Sequence, residues 1–198
     1  MNYLYHGSVT ADIHTIKANS KLHGTDNTKV VYLTDSLPYS LFYIWDSNHN
    51  IKEGKHVTAW IKDGTVYYEE QFEGQLEAFY KGVSGYVYCV EHNEHFKLVE
   101  NRESMWFSEM DSAVSKTVYI SDVYSEIMKY SNEGKVKIIS FDNVPKDRIN
   151  DLYRAISQRI INNNLLNNAD SSDAMFYQRF FKKAWDDAVN LKNNLVDI

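Results

Sequence analysis

A histidine, a glycine and a serine stand together near the start of the chain, in Leu4-Tyr5-His6-Gly7-Ser8. After a polar stretch comes Val31-Tyr32-Leu33-Thr34-Asp35-Ser36-Leu37-Pro38-Tyr39-Ser40-Leu41-Phe42-Tyr43. These residue types suit a ligand with a flat aromatic amide. Phenol rings stack on the ring. A glycine, lacking Cβ, lets backbone N–H and C=O approach the amide closely. A hydroxyl adds a hydrogen bond, and an imidazole can hold a ribose hydroxyl. Cleavage of a bond between such a ring and ribose leaves positive charge on the sugar, which a carboxylate would offset. The nicotinamide end of NAD has this chemistry.

These groups need elements to position them. Asn2–Tyr5 is short and aromatic and reads as a strand stopped by Gly7-Ser8, and Lys29–Thr34 as a second strand. Residues 9–28 read as polar loop. Ser36 has the character of an N-cap, with Pro38 in the first turn and Leu37, Leu41 and Ile44 at helical spacing, so a helix is expected as far as Asp46–Asn50. Ser40 and Tyr43, three apart on that helix, can converge. Further on, Lys62-Asp63-Gly64-Thr65 predicts a hairpin turn between strands over 56–61 and 66–72. Strands follow at 85–90, 104–108, 116–120 and 135–141, with a helix over 122–130 closed by Gly134. After Pro145 the spacing predicts a helix over 146–166, broken by Asn-rich sequence, and a last helix from Ser171 or Ser172 through Leu191.

The bulk properties narrow the function classes. The 198 residues, 43% hydrophobic and 24% charged, suit a folded globular protein, and 15 tyrosines raise the aromatic share to 14%. From Lys146 onward there are eight Lys or Arg and seven Asp or Glu. That leaves 13 and 20 of the chain's 21 and 27 to the first 145 residues. An acidic front half and a net charge of -6 disfavour a nucleic-acid backbone as partner. A single cysteine, Cys89, excludes an intramolecular disulfide and, with no secretory pattern at the start, gives a cytoplasmic expectation. The longest apolar run, Leu41–Trp45, is too short for a bilayer, so no membrane partner is expected.

The quoted segments resemble the ADP-ribosyltransferase superfamily, in the His-Tyr-Glu branch that includes diphtheria toxin and the poly(ADP-ribose) polymerases. There a first strand ends in His-Gly-Ser or His-Gly-Thr. A later strand carries a Tyr, and a Ser and a second Tyr follow on a helix at the spacing of Tyr32, Ser40 and Tyr43. The likeness is good over residues 3–45 and extends beyond them only in the order of elements. It implies that His6 binds a ribose hydroxyl, Gly7 and Ser40 hold the carboxamide, and Tyr32 and Tyr43 sandwich the ring. The family's glutamate falls in Asn101-Arg102-Glu103-Ser104-Met105-Trp106-Phe107-Ser108-Glu109, where the natural alignment puts Met105 at its position. Glu103, two residues earlier and so on the same face of an unbroken strand, is the expected acid, with Glu109 as alternative. Members that carry an apolar residue there transfer single ADP-ribose units or have lost activity.

Other chemistry-bearing residues read more plainly. Glu91-His92-Asn93-Glu94-His95 reads as a solvated turn rather than a metal site, and no metal is expected. Cys89, in an alternating strand, reads as a small buried residue.

The fold expected is α+β: a split, mostly antiparallel β core of ADP-ribosyltransferase type with peripheral helices and a two-helix C-terminal tail. Residues 1–145 form the domain, and 146–198 a helical extension packed on it. The expected activity is NAD-dependent mono-ADP-ribosyl transfer or NAD hydrolysis, through His6, Tyr43 and Glu103, with NAD as substrate. The alternative is an inactive NAD- or ADP-ribose-binding, or protein-interaction, module. A protein or small molecule is a better acceptor than nucleic acid. The Phe/Trp stripe of the last helix is either core or a homodimer surface.

Overall fold

The computed structural model describes residues 2–22, 27–49 and 58–196. Strands β1 (Tyr3–Ser8), β2 (Thr15–Ile16), β3 (Ser20–Lys21) and β4 (Lys29–Thr34) lead into helix α1 (Leu37–Ser40). β1 runs on through Gly7 and Ser8, where the glycine had suggested a stop. Ser36 caps α1 by accepting from the Tyr39 N–H, and Pro38 sits in the first turn. The helix is shorter than its apolar spacing suggests, because it tightens into a 3-10 turn over Leu41–Tyr43. Part of the expected 9–28 loop and residues 50–57 lie outside the described residues.

β5 (Ala59–Lys62) and β6 (Thr65–Glu69) form the expected hairpin. Asp63 and Gly64 take φ of 51° and 73°, the left-handed pair that a two-residue hairpin loop needs. Then come α2 (Gln75–Tyr80), β7 (Gly85–Glu91), β8 (Lys97–Leu98), β9 (Met105–Ser108), β10 (Ser112–Ala113), β11 (Lys116–Ile120), α3 (Val123–Asn132) and β12 (Val136–Ile139). The Asp122 carboxylate caps α3 by accepting from the Ser125 N–H at 2.7 Å and also takes the Gly82 N–H at 2.6 Å. Three helices close the chain: α4 (Lys146–Asn162), α5 (Ser172–Phe180) and α6 (Lys182–Val196). The single last helix expected from Ser171 or Ser172 to Leu191 is therefore two. Phe181 leaves helical geometry at φ −129°, ψ 46° while its side chain is buried against Phe72 and Phe176. No Gly or Pro marks that break.

The architecture is α+β with mostly antiparallel sheets and C-terminal helices. The main sheet runs β11-β7-β1-β4-β9-β8, with β3 beside β4. Smaller sheets join β2 to β10, and β12 to β6 and β5. One face of the main sheet buries Leu4, Ile16, Val31, Leu33, Tyr88, Val90 and Phe96 as a hydrophobic core. Apart from it, Phe42 stacks on Tyr68 at 5.1 Å, and the Tyr80 hydroxyl donates to the Phe42 carbonyl.

The chain divides into two compact units. The first is Met1–Ser47, Val57–Tyr68 and Leu76–Ile138, and the second is Asn48–His56, Glu69–Gln75 and Ile139–Ile198. The helical unit thus begins before Pro145 and takes in a piece of the earlier chain. Inside it the Ser157 hydroxyl joins α4 to α6 by donating to the Ala184 carbonyl at 2.8 Å, and Arg148 pairs with Glu69. Of the stripe and its flank, Phe176, Phe181, Ala184 and Ala188 are buried in this unit, Phe180 and Trp185 are partly buried, and Met175 is exposed. No helix among the described residues is long and apolar enough to cross a membrane.

Candidate functional site

β1 pairs with β7 over six residues but with β4 at a single pair, Tyr5 opposite Thr34. Beyond that pair His6 and Gly7 separate from Leu33 and Tyr32, and the main sheet splits. A cavity of about 400 Å³ occupies the gap. His6 and Gly7 form one side and Tyr32, Leu33 and Thr34 the other, while Tyr39, Ser40 and Tyr43 enter from α1 and its 3-10 extension. The five expected binding residues, His6, Gly7, Tyr32, Ser40 and Tyr43, therefore line one cavity inside the first unit. Lys21 and Arg102 stand exposed on its rim.

Gly7 has no side chain, so its share of the wall is backbone. Its Cα face is turned to α1: a Cβ there would lie 2.0 Å from the Ser40 carbonyl oxygen and 3.0 Å from Ile44 Cγ1. The glycine is needed first for close strand–helix approach. Gly85 on β7 does the same, since a Cβ there would meet Ile44 Cγ2 at 2.3 Å. The two glycines let the segment after α1 settle onto the strands, which holds Ser40 and Tyr43 over the split.

Ser40 is fully buried, and its hydroxyl donates to the Leu37 carbonyl at 2.7 Å. With its proton so engaged it can only accept, which suits an amide NH₂. A ligand reaches that oxygen only with a shift of the side chains over it. Tyr43, half-buried, donates to the Tyr39 hydroxyl at 3.1 Å, and Tyr39 donates to the Ala59 carbonyl at 3.3 Å. The two rings meet edge to face with centroids 5.5 Å apart. Burial, then the Tyr39 phenol, pushes the Tyr43 phenol well above its ordinary value, against a smaller opposing effect of Arg102. Tyr43 is thus a neutral ring with a fixed hydroxyl. On the opposite wall the Tyr32 hydroxyl donates to the Lys21 carbonyl at 3.3 Å.

Glu103 is placed elsewhere. Its carboxylate accepts the Asp63 and Gly64 N–H groups at 2.9 and 2.7 Å and clamps the β5–β6 turn. The two-residue alternation argument fails because β9 starts only at Met105 and Ser104 has a left-handed φ of 60°. Met105 holds the wall instead: it lies opposite Thr34, itself opposite Tyr5, so one row across β9, β4 and β1 lines the cavity. Glu109 does not line it, and among the described residues no lining residue is a carboxylate. Its Lys and Arg are both at the mouth. Neither cation was visible as a site residue, because Lys21 and Arg102 sit in unrelated short segments that only the topology unites.

Away from the cavity, Cys89 is buried and burial pushes its thiol up, against reactivity. His92 and His95 lie on an exposed turn, and the described residues contain no group of three metal-binding side chains. No protein-family model matches the chain, and comparison with curated proteins and with solved structures finds no similar chain.

Proposed function

We propose that the cavity binds NAD by its nicotinamide end and that the protein cleaves the nicotinamide–ribose bond, passing single ADP-ribose units to an acceptor or to water. The observation that supports this is the convergence of His6, Gly7, Tyr32, Ser40 and Tyr43 on one split in the sheet. The rings of Tyr32 and Tyr43 would hold the nicotinamide flat, and the Gly7 backbone would meet the carboxamide. His6 would orient the ribose hydroxyls. Lys21 and Arg102 at the mouth suit the negative pyrophosphate that follows the ribose. The acceptor is a protein or a small molecule.

Met105 in place of an acid limits this chemistry. With no carboxylate among the described residues of the wall, the cationic ribose would be stabilised by dipoles and by the phosphates of the dinucleotide itself. Extension of one ADP-ribose to a polymer is not part of the proposal. Glu103, held by two backbone N–H groups, favours a second reading: a module that binds NAD and does not cleave it.

Nicotinamide release and thermal stabilisation by NAD, measured together, separate the readings. Release from the wild type and loss of release in Tyr43→Ala support cleavage. Stabilisation without release supports the binding module. Neither release nor stabilisation rejects both.

A further inference from the structure

Tyr43 reaches the cavity as the first member of a chain of hydroxyls. It donates to the Tyr39 hydroxyl at 3.1 Å, and Tyr39 donates onward to the Ala59 carbonyl on β5 at 3.3 Å. A phenol has one proton, and that of Tyr39 is committed to Ala59, so toward Tyr43 it can only accept. The far end of the chain is anchored. Ala59 pairs with Tyr68 on β6, and the Tyr68 ring is wholly buried and stacked on Phe42. Tyr39 itself is buried, and its backbone N–H donates to the capping Ser36 hydroxyl.

Two separate contacts then act on the Tyr43 ring. The hydrogen bond lies at the tip of the ring, on its long axis, so alone it would leave the ring free to turn about that axis. The Tyr39 ring, at 82° to it with centroids 5.5 Å apart, resists the turn. One neighbour therefore sets both the tip and the plane. A ring held in place before a flat ligand arrives gives up little freedom when the ligand stacks on it, whereas a loose ring must be ordered in the act of binding. Tyr39 also lines the cavity, but its proton and that of Tyr43 are both spent inside the protein.

We propose that Tyr39 is a positioning residue, which acts on the ligand through Tyr43 by holding that ring in the plane on which a nicotinamide stacks. This role rests on the reading of the cavity as a nicotinamide site.

The test is the Kd of carba-NAD for the full chain, measured by isothermal titration calorimetry. In carba-NAD a methylene replaces the ring oxygen of the nicotinamide ribose, so no cleavage follows binding. Wild type is compared with Tyr39→Phe, Tyr43→Phe and the double variant. Each single variant keeps both rings and removes the bond between the two hydroxyls. Each should raise Kd by about twofold to tenfold, the scale of ordering one side chain on binding. The double variant should bind no more weakly than either single one, because the same bond is lost in all three. A merely structural contribution of Tyr39, through its bond to Ala59, would persist in the Tyr43→Phe background, and the losses would multiply. Melting of each ligand-free protein reports whether it is folded. A wild type that does not bind carba-NAD overturns the nicotinamide reading and this role with it. Binding by the wild type with Kd unchanged in Tyr39→Phe, or with losses that multiply in the double variant, overturns the role of Tyr39 alone. Should Tyr39→Phe not fold, Tyr43→Phe breaks the same bond from its other end, and an unchanged Kd there overturns the role equally.

Discussion

Replacing Gly7 by alanine forces β1 and α1 apart at the wall of the cavity. The new methyl would lie 2.0 Å from the Ser40 carbonyl oxygen and 3.0 Å from both the Ser40 carbonyl carbon and Ile44 Cγ1. Ordinary contact begins at 3.4 Å, so the carbonyl must retreat by more than an ångström. That carbonyl is backbone and cannot swing aside as a side chain would. Overpacking of this kind costs about 1–3 kcal/mol. For a chain of this length each kcal/mol lowers Tm by about 2–4 °C, so a fall of about 2–12 °C is expected. Circular dichroism melting of Gly7→Ala against wild type measures it. Gly134→Ala is the control: its φ is 74° and nothing lies within 4 Å of the added Cβ. It incurs only left-handed backbone strain, about 1–2 kcal/mol, and leaves the cavity intact. Gly7→Ala should therefore lose NAD-dependent stabilisation as well as Tm, and Gly134→Ala only Tm. A Gly7→Ala protein that melts within about one degree of wild type would falsify the strand–helix contact.

Glu103→Gln should leave NAD binding unchanged and loosen the β5–β6 turn, read as faster hydrogen exchange at Asp63 and Gly64. Met105→Glu puts an acid on the cavity wall and should raise nicotinamide release above wild type. Unchanged release would argue against a missing carboxylate as the limit. Asp122→Ala removes the cap of α3 and the acceptor of the Gly82 N–H, and should cost about 1–2 kcal/mol in urea unfolding. Hydrogen bonds from Ser125 hold the Asp122 carboxyl below its ordinary value, so its contribution is present above about pH 4 and fades as acid is added. At the other extreme, burial raises the Tyr43 and Tyr80 phenols. Folded, they stay protonated. The unfolded chain releases their protons above about pH 10, so stability should fall from there upward, and less steeply in Tyr43→Phe.

Where local chemistry decides structure, the sequence was readable. Ser36 and Asp122 announce helix caps, Asp63-Gly64 a hairpin turn, and Lys29–Thr34 and Lys116–Ile120 are strands at the expected limits. Tertiary contact decided the rest. The break at Phe181 comes from where its ring is buried, not from a breaker residue. Strands of two residues, such as β3 and β8, are too short for any periodicity. At the site, His6, Gly7, Tyr32, Ser40 and Tyr43 were legible by type and spacing, and they do share a cavity. Glu103 misled because alternation assumes an unbroken strand, and the left-handed Ser104 interrupts it. Lys21 and Arg102 depend on long-range register, which no local pattern carries.

The most direct measurement is a crystal structure of the wild-type protein with NAD. The expected result is a nicotinamide ring between Tyr32 and Tyr43, its carboxamide against the Gly7 backbone, and phosphates near Lys21 and Arg102. A dinucleotide bound elsewhere, or a cleft that stays empty at saturating NAD, contradicts it.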